Sequence, residues 1–305
     1  MKAHALSGRD YLAALCVVLI WGTNFVAMKF GLRELTPFQL GAGRYLFAVL
    51  PLVLFIKPPQ LHWKWLVLYG LCQGVGQFGL LFLSLHVGLS AALASVILQT
   101  QVFFTAFLGV ALLGEHIGRA LKLGLALAAL GLACFAMAAS SSGAAGALAG
   151  FVLCLGGAAM WAASNIVVRL AQKSTPHFQV LPFMVWSSLV PILPFVLLSL
   201  AFDPVATRAI WSPSGWTALH WQTIASVAYL GWMATLAGYA LWTGLLKRHP
   251  VNRVAPFSLG VPVVGIAAGM FILGDAITPL QWGGIALIVA ALSTVVFGPR
   301  FLNKR

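Results

Sequence analysis

The sequence predicts an all-α polytopic membrane protein: ten transmembrane helices arranged as two inverted five-helix repeats, with N- and C-termini cytoplasmic. Three observations carry this expectation. First, 61% of the 305 residues are hydrophobic and only 8% are charged, against about 25% charged in soluble proteins. A soluble globule of that composition would precipitate, and a disordered chain would lack so much apolar surface. Second, the apolar residues gather into ten runs close to the roughly 20 residues that cross about 30 Å of hydrocarbon. Third, the basic residues segregate to alternate connections.

The runs cover 11–30, 38–56, 65–85, 90–113 and 120–138, then 147–170, 179–201, 221–246, 251–273 and 280–297. Stretches such as 121–139 and 283–297 do not alternate apolar with polar residues, which excludes β-barrel strands. Lys2 and Arg9 precede the first run as they would a signal peptide. The apolar stretch continues through Trp21 and Phe25, longer than a signal core, and reads as a retained helix.

With the N-terminus placed in the cytoplasm, 14 of the 18 basic residues fall on that side. They are Lys2, Arg9, Lys57, Lys64, Arg119, Lys122, Arg169, Lys173, Lys247, Arg248, Arg253, Arg300, Lys304 and Arg305. Only Arg33 and Arg208 fall opposite, while Lys29 and Arg44 lie within or near spans. This is the positive-inside bias. It accounts for the net charge of +13 without nucleic acid as a partner.

A two-fold repeat runs through the chain. Trp21-Gly-Thr-Asn24 returns as Trp161-Ala-Ala-Ser-Asn165, and Thr36-Pro-Phe-Gln39 resembles Thr175-Pro-His-Phe-Gln179. Leu113-Gly-Glu115 matches Leu273-Gly-Asp275, and Gly124 matches Gly284. Each half holds five runs, an odd number, so the second half enters the bilayer from the other side. Inverted repeats of this kind build transporters with a substrate site near the midplane. The expected domains are residues 12–139 and 147–298.

The chemistry-bearing residues argue against an enzyme. Asp10, Glu34, Glu115, Asp203, Asp275 and all seven histidines fall at helix ends or in loops. No paired intramembrane carboxylates, HExxH motif or nucleotide-binding P-loop occurs. Cys16, Cys72, Cys134 and Cys154 lie in apolar runs without metal spacing. No cofactor and no metal are expected. If protons drive transport, the titrating group sits at a helix end, with His86, Glu115 and Asp275 as weak candidates; a facilitator is an equal alternative.

Uncharged polar residues do occur at depth, and the candidate substrate-binding residues are Asn24, Arg44, Gln77, Gln99, Gln101, Trp161, Asn165, Tyr239 and Trp242. Amides offer donor and acceptor together, as a zwitterion or hydroxylated metabolite requires. The competing explanation for Gln73, Gln77 and their like is interhelical adhesion. Gln99 and Gln101 are two apart, so at most one should face a cavity squarely. Arg44, seven residues into the second run, reads either as snorkelling to the outer interface or as a carboxylate ligand at a cavity mouth. Lys29 and Arg169 read as helix anchors. Pro191, Pro194, Pro256 and Pro262 interrupt the seventh and ninth runs. Gly70/Gly74, Gly146/Gly150 and Gly265/Gly269 have the spacing for close helix approach.

Together these residues resemble the EamA family of the drug/metabolite transporter superfamily. The resemblance covers nearly the whole chain. The stretches Ala92–Thr105 and Arg253–Gly265, with Trp21-Gly-Thr-Asn-Phe-Val26 and Trp242-Thr-Gly-Leu-Leu246, are most similar to its O-acetylserine and cysteine exporters. The resemblance implies a bacterial inner-membrane protein exporting amino acids or their metabolites by alternating access. The expected partners are a small-molecule substrate and the lipid bilayer, and a monomer is one reading of the assembly. The alternatives are a carrier of drugs, quaternary amines or other metabolites, an intramembrane enzyme or structural subunit and, more remotely, a lipid scramblase.

Overall fold

The computed structural model describes residues 6–114, 118–141, 146–176, 178–249 and 251–298. Glu115, His116, His177 and the terminal residues Lys2, Arg300, Lys304 and Arg305 lie outside them. Helices α1 (Gly8–Gly31), α2 (Pro37–Val49), α3 (Trp63–His86), α4 (Ala91–Leu113) and α5 (Arg119–Ser141) form the first half. The second half holds α6 (Ala147–Ser174), α7 (Val180–Phe202), α8 (Trp221–Leu245), α9 (Pro256–Leu273) and α10 (Pro279–Phe297).

Nine of these, all but α2, are long and apolar enough to cross a membrane. The run at 38–56 is shorter as a helix than as a hydrophobic stretch. Helix α2 has 13 residues and spans only about 20 Å. It stops before Pro51, which cannot donate the next helical hydrogen bond, and Leu52–Leu54 continues as a 3₁₀ turn.

Helix starts follow their capping residues. Ser7, Thr36 and Thr278 each close a capping box, with Asp10, Gln39 and Gln281 reaching back to the cap. Each box satisfies orphan amides that a membrane helix would otherwise expose. Gly114 and Gly274 end α4 and α9 in the left-handed region, at φ 69° and 72°, where a side chain would strain the backbone.

The packing obeys a two-fold exchange of each helix for the one five places later. Helix α1 packs on α9 as α6 packs on α4, and α1 on α8 as α6 on α3. Helices α2 with α7, α4 with α9 and α5 with α10 pair with their own counterparts. Irregular backbone follows the same exchange. Gly70–Gly79 of α3 and Tyr229–Ala237 of α8 are π-helical. Leu98–Thr100 in α4 and Ala255–Leu259 where α9 begins are 3₁₀ turns. Helix α7 breaks across residues 188–191, a stretch that ends with Pro191, and resumes at Ile192.

Small residues bring the helices together. A Cβ on Gly74 would lie 2.0 Å from the Pro191 ring, and one on Gly265 would lie 2.4 Å from the Ser95 side chain. These approaches join α3 to α7 and α9 to α4.

Candidate functional site: a cavity enclosed by both halves

Contacts fix which helix ends share a face. Asp10 at the start of α1 pairs with Arg248 and His249 just beyond α8, at 3.0 Å each. At the other end of α1, Lys29 donates to the Leu85 carbonyl at 2.8 Å. The Asp275 carboxylate accepts from the Ala92 amide at 2.9 Å, fastening the end of α9 to the start of α4. Helix α6 begins on that second face, where Ser84 bonds the Gly150 carbonyl at 2.7 Å.

A cavity of about 820 Å³ lies between the halves. All nine candidate residues line it: Asn24, Arg44, Gln77, Gln99, Gln101, Trp161, Asn165, Tyr239 and Trp242. Its lining reaches Arg169, Gln172, Pro176 and Phe178 at the end of α6, on the face where α1 starts. No described lining residue belongs to the turns of the opposite face, which is fastened by the Lys29 and Asp275 contacts.

Arg44 departs from both readings of the sequence. It neither snorkels nor stands at the mouth. It is 1% exposed, at the inner end of the cavity, because the cavity opens towards the face remote from the start of α2. Its guanidinium carbon lies 3.7 Å from the centre of the Phe78 ring. Its Nε donates to Thr235 Oγ1 at 3.2 Å, and that hydroxyl in turn donates to the Leu230 carbonyl at 2.8 Å, within the π-helical stretch of α8. Among the described residues Arg44 Nη1 is buried without a partner, as is the amide oxygen of Asn24. Among the described lining residues none is Asp or Glu.

Gln99 and Gln101 both line the cavity, although at α-helical spacing at most one of them could face it squarely. The 3₁₀ turn across Leu98–Thr100 explains this. At three residues per turn, side chains two apart diverge by about 120°, not the roughly 160° of an α-helix. Gln101 Oε1 accepts from Asn165 at 2.9 Å, and Asn165 also donates to Thr105 at 3.1 Å. This network ties α4 to α6 along the wall. Trp21 donates its indole N–H to the Ala234 carbonyl at 3.0 Å and packs against Tyr239 and Trp242, with ring centroids 5.1 and 5.7 Å away.

Gln73 is interhelical adhesion, as the competing explanation holds for it. It donates to Gln77 and to the Tyr239 hydroxyl, and Ser164 donates to it. It does not line the large cavity. Gln73→Ala should lower stability by about 0.6–1.7 kcal/mol, the range for such bonds between membrane helices, which thermal melting would read. Sequence reasoning did not place Arg169, Thr105 or Ser258 at the cavity, and Arg169 lines it as well as ending its helix. Its one-turn remove from Asn165 was the available signal.

On the face opposite the opening, the segment after α7 clasps the α1–α2 turn. Asp203 accepts from Thr36 at 2.5 Å, and Gln39 donates to the Thr207 carbonyl at 2.9 Å. Glu34 accepts from Thr223 and lies 2.5 Å from His220 Nδ1. The His220 hydrogen bond, then the Thr223 bond, hold the Glu34 carboxyl below its ordinary 4.5. The same pairing raises the His220 imidazole above its ordinary 6.5. The raised base stabilises fully below its ordinary value and less as pH rises through its raised value. The lowered acid stabilises above its ordinary value and less as pH falls through its lowered value. The clasp is therefore complete between about pH 4.5 and 6.5. Melting temperature should decline towards alkaline pH, and Glu34→Gln should flatten that decline.

Comparison with known proteins now bears on this architecture. The sequence model of the EamA-like transporter family matches residues 9–137 and again 148–297. The chain is 39% identical over 297 residues to a "Probable amino-acid metabolite efflux pump" of Salmonella typhimurium, covering 97% of both chains. It is 37% identical over 296 residues to a protein of the same name from Escherichia coli, again covering 97% of both. A crystal structure at 18% identity shares the fold, with a TM-score of 0.60 over 97% of this chain and 100% of that one. The chain belongs to the EamA-like transporter family.

Proposed function

We propose that this protein exports amino acids or amino-acid metabolites across the bacterial inner membrane by alternating access. One observation carries the reading: a deep cavity, enclosed by both halves, gathers a buried guanidinium and the five amides of Asn24, Gln77, Gln99, Gln101 and Asn165. The names of the Salmonella and Escherichia coli relatives point to the same class of cargo. In this reading α2 counts as the tenth span, and the repeats are residues 12–139 and 147–298. Both termini are cytoplasmic, as the basic-residue bias favours. The open face is then the cytoplasmic one, the state in which an exporter loads. One chain encloses the whole cavity, so a monomer suffices.

Asn24, Arg44, Gln77, Gln99, Gln101, Trp161, Asn165, Tyr239 and Trp242 are the proposed substrate-binding residues. The quaternary-amine alternative is disfavoured, because no described lining residue is a carboxylate that could neutralise a cation. No arrangement of the lining residues supports a catalytic step.

The test is efflux from proteoliposomes loaded with labelled O-acetylserine, cysteine, an aromatic amino acid or a quaternary amine, with and without a pH gradient. Selective efflux of the amino acids is expected. Flux of the amine alone would replace this reading with the drug-carrier one. Asn24→Ala and Gln77→Ala should each lower flux without lowering membrane abundance. Normal flux in both would remove those two residues from the site.

A further inference from the structure

We infer that the site is built for a net anion, an N-acylated amino acid, in preference to a free amino acid. The inference rests on the amino-acid-metabolite reading of the cavity. Of the buried polar atoms that lack a hydrogen-bond partner among the described residues, two belong to residues lining this cavity, Arg44 Nη1 and the Asn24 amide oxygen. The first is a charged donor and calls for an anionic acceptor. A carboxylate fits the guanidinium fork, which can donate through two parallel N–H groups. The second is a neutral acceptor and calls for an N–H.

Charge decides which N–H. Arg44 makes no ion pair among the described residues, and its neighbours at hand are the Phe78 ring and the Thr235 hydroxyl. A bound carboxylate neutralises it. If the ligand also carries an ammonium, the pair leaves one uncompensated positive charge in a low-dielectric cavity, as unfavourable as before binding. Among the described lining residues no Asp or Glu offsets it. An amide N–H presents one donor to one neutral acceptor and leaves the Arg44–carboxylate pair neutral. Arg169, the other basic residue of the lining, adds further positive charge towards the open end and favours an anion in the same sense. The acyl group meets the indole surfaces of Trp21, Trp161 and Trp242, which line the same space. The volume of about 820 Å³ falls in the range of pockets for drug-sized ligands, about 300–1,000 Å³, well beyond what cysteine alone fills.

N-acetylserine and O-acetylserine test this, because they are isomers of equal size, one an anion and the other a zwitterion. Efflux of each from proteoliposomes containing the full chain, against protein-free vesicles, would be followed at mildly acidic pH. There the O-acetyl isomer keeps its amine free. Flux of N-acetylserine at least about tenfold above its isomer is expected. Arg44→Gln should abolish that preference. Asn24→Asp adds the missing carboxylate and should move the ratio at least about tenfold towards the zwitterion, a readout that does not depend on the Arg44 variant folding. Equal or faster flux of O-acetylserine would overturn the inference and leave the exporter reading standing. An unchanged ratio in Asn24→Asp would also overturn it. No flux of either isomer, nor of any amino acid, would overturn the exporter reading as well.

Discussion

Arg44→Met should all but abolish efflux while leaving the protein as stable as before, or more so. The two effects have opposite signs because, in the proposed reading, the guanidinium that would bind substrate also burdens the fold. A hydrogen bond to a charged group is worth about 1.5–3 kcal/mol, so losing the carboxylate contact costs roughly 10- to 150-fold in flux at limiting substrate. The buried charge has no ion-pair partner among the described residues. Replacing buried charges by apolar side chains of similar volume is often neutral or stabilising by about 1–4 kcal/mol. The Phe78 contact and the Thr235 bond offset part of that gain. Flux and melting temperature, measured on one preparation, separate the two. A large fall in both would make Arg44 a structural residue.

The largest effect on folding is expected at Gly74. Its missing Cβ would lie 2.0 Å from Pro191 Cγ and 2.7 Å from Pro191 Cβ. A proline ring cannot rotate away, so α3 and α7 must separate. Overpacking of this kind costs about 1–3 kcal/mol, and Gly74→Val should exceed Gly74→Ala. Gly283→Ala is the control, since a Cβ there meets nothing within 4 Å. That substitution should be neutral, or stabilising by about 0.4–1 kcal/mol, because alanine restricts the unfolded chain. A purified Gly74→Ala protein melting like the control would show that the helices yield freely.

Much of this architecture was legible because a bilayer leaves few options. Hydrophobic runs of span length had to be helices, and the matched motifs around Trp21 and Trp161 announced the exchange that the packing obeys. The nine cavity-lining candidates were legible as a set because polar side chains at mid-span are expensive and therefore few. Their orientation was not. The depth of Arg44 depends on which face the cavity opens to, and a single helix cannot report that. The joint placement of Gln99 and Gln101 depends on a 3₁₀ turn of three residues, too short to leave a periodic signature. The shortness of α2 could have been read from Pro51, but its apolar neighbours Leu50, Leu52 and Leu54 concealed the break.

A fixed positive charge on the wall, with no described carboxylate beside it, has an electrical consequence. Arg44 belongs to the protein and stays with it, so an anion that leaves its guanidinium for the far side carries one whole negative charge across the bilayer. In a cell whose interior is negative, that movement is downhill by about 2.3 kcal/mol per 100 mV. This corresponds to a concentration ratio of roughly 40- to 50-fold. For the anionic cargo proposed above, that field would move the substrate outward with no titrating carboxylate, and collapsing the potential with a potassium ionophore should then slow export even at constant pH.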